Sequence, residues 1–125
     1  MSLLNSVLKV FVGNKTKKDL AKILPLVNQI NSHCNSYKDI SNDELRDKTL
    51  IFKNKISSDL KEINDQIQYI KSEIEKTEDI DQKENLYQKI DDLTIESEKI
   101  ITQTLDAILP EAFAVVKETA RRFVE

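Results

Sequence analysis

His33 and Cys34 are the only histidine and the only cysteine in the chain, and they are adjacent. A nucleophilic pair would need the two side chains to face each other. Neighbouring positions on a helix point about 100° apart, so these do not. A structural zinc site would ask for four ligands, and no further Cys or His exists to supply them. Cys34 therefore reads as a small core residue. A lone cysteine forms no internal disulfide, which suits a reducing compartment. Carboxylates are plentiful, with 22 Asp and Glu. They stand at i,i+3 and i,i+4 beside lysines, a spacing that suits helix stability better than acid–base work. No Glu lies three residues before His33, so the Glu-x-x-His pattern of di-iron bundles is missing. No catalytic residue and no metal ligand is assigned.

The other chemistry-bearing group is a set of lysines. Residues 1–22 carry Lys9, Lys15, Lys17, Lys18 and Lys22 against one acid, Asp19, which gives +4. The whole chain is −3, so residues 23–125 sum to −7. A basic arm on an acidic body implies an anionic partner for the arm. Just before the lysine cluster, Leu3, Leu4, Val7, Leu8 and Phe11 share one helical face. Apolar face plus lysines is the pattern of an interfacial anchor on an anionic bilayer, where each basic residue contributes about 1 kcal/mol. The plainer reading is that this face docks on the helices behind it. No aromatic is interleaved with the lysines for base stacking, which argues against nucleic acid. No run of 18 apolar residues exists to span a bilayer. The opening is no secretory signal either, because its lysines follow the apolar stretch instead of preceding it.

These residues sit on a chain built for helices. Of 125 residues, 39% are apolar and 33% charged, with one Gly, two Pro and no Trp. That composition bounds the chain to one aliphatic, turn-poor domain or part of one, and excludes a β-rich fold. The centre sets the organisation. Leu45, Thr49, Phe52, Ile56, Ile63, Ile67, Ile70 and Ile74 recur at steps of three, four or seven. The stripe has one gap, near Asp59, where Leu60 comes one position late. After the polar break at 75–79, Leu86, Ile90, Leu93, Ser97, Ile100, Ile101, Leu105 and Ile108 resume the period. Each stripe most cheaply buries the other. The expected architecture is all-α: a long antiparallel helical hairpin flanked by shorter helices, with no sheet.

The boundaries follow from capping and breaking residues. A short helix over 2–12 is expected to end at Gly13-Asn14. A second runs over 16–37, with a kink ahead of Pro25. Ser41-Asn42-Asp43-Glu44 is a capping box that starts a third helix, over 42–76 and roughly 50 Å long. A fourth covers about 81–107. Pro110 is expected to stop it and to open a last helix, along which Phe113, Val116, Ala120 and Phe123 share a face. A last helix still running at Glu125, without cap or polar tail, reads as truncation.

Ile40-Ser41-Asn42-Asp43-Glu44-Leu45, with Lys48-Thr49 and Phe52, forms one distinctive block, and Leu109-Pro110-Glu111-Ala112-Phe113-Ala114-Val115-Val116-Lys117-Glu118, with Arg121-Arg122, forms a second. In this order the two blocks resemble successive blocks in the amino-terminal region of the SecA family, the ATPases of bacterial preprotein translocation. Leu8-Lys9-Val10-Phe11 and Val27-Asn28-Gln29-Ile30-Asn31 agree with the family's opening. The resemblance covers 1–56 and 105–123. In most members a short connection joins the two blocks, so about 57–101 reads as a lineage-specific helical insertion. The implied organisation is 1–40 as basic arm and second helix, 41–109 as hairpin, and 110–125 as the lead into an ATPase domain.

The resemblance implies a motor that drives preproteins through the SecYEG channel with ATP and Mg²⁺. The family's nucleotide motifs come after the second block. A phosphate loop of the form G-x-x-x-x-G-K-[ST] needs two glycines, and Gly13 is the only one here. This segment is therefore expected to carry no cofactor and to hydrolyse no ATP by itself. The resemblance implies docking on anionic phospholipid and the translocon. Leu3, Leu4, Val7, Leu8 and Phe11 would insert, while Lys9, Lys15, Lys17, Lys18 and Lys22 attract headgroups. The expected location is cytoplasmic and peripheral to the bacterial inner membrane. The alternative is an interaction module whose hairpin forms a homodimer or binds a partner helix.

Overall fold

A computed structural model describes the backbone of residues 3–125 and the side chains of residues 13–125. Three helices make up the described chain: α1, Leu3–Tyr37; α2, Asn42–Lys76; and α3, Ile80–Val124. No strand is present among the described residues, and the all-α expectation holds.

The start of α2 is fixed as the sequence requires. The Glu44 amide donates to Ser41 Oγ at 3.1 Å, and the Ser41 amide donates to Glu44 Oε2 at 2.7 Å. Two otherwise orphaned amides are thereby satisfied. Ser41 holds the Glu44 carboxyl below the usual carboxylate range, through its amide first and its hydroxyl second. The reversal falls at 77–79, inside the expected polar break. There Thr77 Oγ1 donates to the Glu73 carbonyl at 2.7 Å. Asp79 caps α3 by accepting from the Asp81 amide at 3.0 Å.

α2 and α3 pack along their length as an antiparallel pair, tied by contacts such as Asp59–Thr104 and Lys48–Glu111. Ile63 and Ile74 are buried in the seam, and Ile90, Leu93, Ile100 and Ile108 are half-buried. One helix pair covers each side chain only in part, so the seam is thin. The gap near Asp59 now has its cause. Asp59 Oδ2 accepts from Thr104 Oγ1 across the seam at 2.7 Å, and both Asp59 oxygens accept from Lys55 Nζ at 2.8 and 2.9 Å. Those bonds, from Lys55 and then Thr104, hold the Asp59 carboxyl below its ordinary range. A polar rung thus replaces one apolar layer.

Several boundaries differ from expectation. Gly13 does not end a helix: α1 passes through it, and no described residue has a positive φ. A mid-helix glycine costs about 1 kcal/mol relative to alanine, which a 35-residue helix absorbs. α1 also continues through Pro25. Pro110 neither stops nor starts a helix; α3 runs through it for 45 residues in all. Proline lacks the amide and costs about 3 kcal/mol inside a helix. Pro110 is itself buried against its neighbours, and that packing offsets the loss. The flanking helices are therefore not short, since α1 matches α2 in length.

Two stripe positions are also reassigned. Thr49 is exposed. Leu105 is 46% exposed, while Thr104, at 4%, takes the buried place. Leu105 instead joins a second stripe on α3, with Ile80, Tyr87, Ile95, Leu109, Phe113, Val116 and Phe123, all exposed. Steps that are sums of threes and fours put these residues on one face, away from the seam. Phe113, Val116, Ala120 and Phe123 do share a face, as expected, but nothing among the described residues covers it.

Candidate functional site

The three helices meet at one junction. Cys34 and Tyr37 of α1, Leu45 of α2 and Ala114 of α3 form the buried cluster, with Ile30, Ile40 and Val115 packed against it. Ala114 is fully buried, and its carbonyl lies 3.7 Å from the Cys34 thiol. The small side chain at 114 lets α1 approach α3 closely. Cys34 is thus the core residue the sequence implies. His33 stacks on Tyr37, with ring centroids 6.3 Å apart.

Around this core runs a polar clasp. Glu118 is only 2% exposed yet charged. It accepts from Arg121 Nε and Nη2 at 2.9 and 2.7 Å and from Arg122 Nε at 2.9 Å. Spacings of three and four residues bring both guanidinium groups to one carboxylate. Arg121 first and Arg122 second hold the Glu118 carboxyl down at about 2. In turn Glu118, and then Glu125, raise the Arg121 guanidinium further above its ordinary value. Arg122 also reaches outward. It donates to the Tyr37 carbonyl at 2.9 Å, the Ile40 carbonyl at 2.7 Å and Asn42 Oδ1 at 2.7 Å. One side chain on α3 therefore ties the end of α1, the connection and the start of α2. A planar fork of donors suits this task, and a lysine has no such fork.

A second arm of the clasp involves Tyr37 and Glu111. The Tyr37 hydroxyl donates to Glu111 Oε1. Burial first, and the Glu111 carboxylate second, push the phenol well above its ordinary range, so it stays a donor. Lys48 Nζ lies 3.6 Å from Glu111 Oε1 and 5.0 Å from the centroid of the Tyr37 ring. Asn31 Oδ1 accepts from Lys117 Nζ at 2.7 Å and adds a further tie between α1 and α3. These contacts position helices; none assembles a nucleophile, a general base or an open ligand set.

The clasp predicts a pH dependence. The folded Glu118 carboxyl titrates at about 2 against an ordinary 4.5. A depressed folded value stabilises the fold above the unfolded value, and that contribution is lost as pH falls from about 4.5 towards about 2. Glu44 and Asp59, also depressed, act in the same sense. Thermal melts followed by circular dichroism should show a lower midpoint at pH 2.5 than at pH 6. In Glu118→Gln that difference should shrink. An equal drop in both proteins would remove Glu118 from the account.

Of the residues singled out for lipid contact, Leu3, Leu4, Val7, Leu8, Lys9 and Phe11 lie outside the described side chains. Lys15, Lys17, Lys18 and Lys22 are exposed on α1. Lys15, Lys18 and Lys22 share a face by their spacing, opposite the exposed Leu20, Ile23, Leu24 and Val27. Tyr37, Lys48, Glu118, Arg121 and Arg122 escaped assignment as a cluster. The one local signal was Glu118 followed by arginines three and four residues on; the partners across helices leave no mark in spacing. No helix among the described residues is long and apolar enough to cross a membrane. No group of metal-binding side chains occurs among them either.

Most of the clasp comes from the block Leu109 to Arg122 and its meeting with Ile40 to Leu45. These are the two blocks whose pattern resembles a known family, and residues 8–125 match the profile of the SecA DEAD-like domain. The chain belongs to the SecA family. It is 47% identical over 125 residues to the protein translocase subunit SecA of Flavobacterium psychrophilum, covering all of this chain and 11% of that protein. It is 48% identical over 124 residues to the SecA of Christiangramia forsetii, covering 99% of this chain and 11% of that protein. The SecA of Porphyromonas gingivalis is 36% identical over 121 residues, again 11% of its length. The chain thus spans about a tenth of the SecA relatives it matches. The match to the first of them covers the whole chain, so the sequence between the two blocks has a counterpart there. No solved structure matches significantly.

Proposed function

We propose that the chain is the amino-terminal segment of a SecA motor that drives preproteins through the SecYEG channel. Its work is to dock the motor at the membrane and translocon and to supply structural helices. It binds no cofactor itself; ATP and Mg²⁺ belong to the remainder of the motor, and so does hydrolysis. The observation that carries this reading is the match of residues 8–125 to the SecA DEAD-like domain. The lysines at 15, 17, 18 and 22, exposed on α1, support the docking role. In this reading Leu3, Leu4, Val7, Leu8 and Phe11 are the residues that insert, and Lys9 joins the other lysines in attracting headgroups. The implied place is the cytoplasmic side of the bacterial inner membrane, held peripherally through anionic phospholipid.

Co-sedimentation with vesicles tests the docking role. Binding should be at least about tenfold stronger to anionic than to zwitterionic vesicles, and should weaken as salt rises. Leu8→Asp should weaken it too, because the apolar face no longer inserts. Equal binding to both vesicles, or indifference to salt, would remove the lipid role.

A second reading is an interaction module that dimerises or binds a partner helix. The exposed stripe along α3 favours it, since an apolar face of that length is seldom left in water.

A further inference from the structure

The exposed stripe of α3 changes character along its length. From Leu105 onward no charged residue interrupts it. Over residues 80–98 it alternates: Ile80, Glu84, Tyr87, Asp91, Ile95 and Glu98 follow one another at steps of three and four. All six are exposed, with Ile80 at 79% and Tyr87 and Ile95 at 56% each. Glu84, Asp91 and Glu98 form no ion pair among the described residues. The segment is uninterrupted helix for about five turns, roughly 27 Å. It stands on the hairpin, outside the three-helix junction.

We propose that this segment docks a basic amphipathic helix of another protein. Apolar residues every two turns offer anchors for a helix laid alongside. A carboxylate between successive anchors leaves an all-apolar partner with charges to desolvate, and repels an acidic one. A partner with lysine or arginine alternating with aliphatic residues on a single face meets both demands. Tyr87 adds an aromatic face for one of those cations. The chain's own α1 does not fit, although it is basic. Its Lys15, Lys18 and Lys22 lie opposite Leu20, Ile23, Leu24 and Val27, and only Lys17 shares the apolar face, so that face sets a single cation beside its anchors instead of an alternation. One cation is too few to answer three carboxylates, and the segment is assigned to a foreign helix on that charge pattern.

The test uses the whole chain and two fluorescent synthetic helices, read by anisotropy. One peptide alternates leucine and lysine along one face; the other has glutamate in place of lysine. The lysine peptide should bind at least about tenfold more tightly, and the advantage should shrink with salt. Tyr87→Ser with Ile95→Ser, and separately Glu84→Lys with Asp91→Lys, should each weaken it about tenfold with helix content unchanged. Phe113→Ser, on the uninterrupted half, should leave it as it is. Equal binding of the two peptides overturns the proposal, and so does undiminished binding by either double variant. Self-association of the chain that the same variants abolish would also overturn it, by assigning the segment to a second copy.

Discussion

Replacing Arg122 by alanine is expected to cost about 1.5–3 kcal/mol of folding free energy, the range for hydrogen bonds made by a charged group. The loss has two parts. Glu118, at 2% exposure, loses one of its two cations. The carbonyls of Tyr37 and Ile40 and the side chain of Asn42 lose their shared donor. The two carbonyls are part-buried, so water replaces their lost donor only in part, whereas the exposed Asn42 side chain finds water instead. Arg122→Lys should recover only part of the loss, since an ammonium cannot reproduce the forked geometry. Urea unfolding followed at the helical signal gives the comparison. Hydrogen exchange should add a spatial signature, with the end of α1 and the start of α2 losing protection before the hairpin seam does. A cost below about 1 kcal/mol would reduce the clasp to surface pairing.

The second large effect lies in the seam. Ile63→Ala should cost about 2–4 kcal/mol, because Ile63 is 5% exposed and its removal leaves a void between α2 and α3. Ile95→Ala, on the outer stripe of α3 at 56% exposure, should change stability by less than about 0.5 kcal/mol. The contrast matters more than either number. Both residues are isoleucines on long amphipathic helices, and only the pairing of α2 with α3 distinguishes them. Equal losses in the two variants would mean that the hairpin closes on a different face.

How much of this was legible can be read from single residues. Ser41 and Glu44 announced the start of α2, because a capping box is a local interaction and leaves a local pattern. The isoleucines from 56 to 74 announced a seam, because burial on one face imposes a period. Asp59 was visible only as a gap; its partner Thr104 is 45 residues away, and nothing in spacing joins them. Leu105 was assigned to the seam because at that point both stripes of α3 obey the same period. Choosing between adjacent positions takes the register of the partner helix. Gly13 and Pro110 look like stops by intrinsic preference, a bias of about 1 to 3 kcal/mol that helix length or packing overrides. The lysine arm was legible as charge alone. The clasp was not legible, since Tyr37, Lys48, Glu111 and Arg122 converge from three helices. The family blocks marked those positions without saying what they touch.

α2 and α3 fold back on each other within one chain, so that the two family-like blocks meet at the junction. Arg46 and Phe123 line the same groove there. Spin labels at Arg46→Cys and Phe123→Cys, in a Cys34→Ser background and diluted with unlabelled chain, report their separation by dipolar spectroscopy. A hairpin closed within one chain gives a short distance, set by helices about 10 Å apart plus the label arms, and unchanged by dilution. A distance approaching the roughly 115 Å of a continuous helix over those 77 positions would contradict it. So would a short distance that vanishes on dilution, because the two blocks would then meet only between chains.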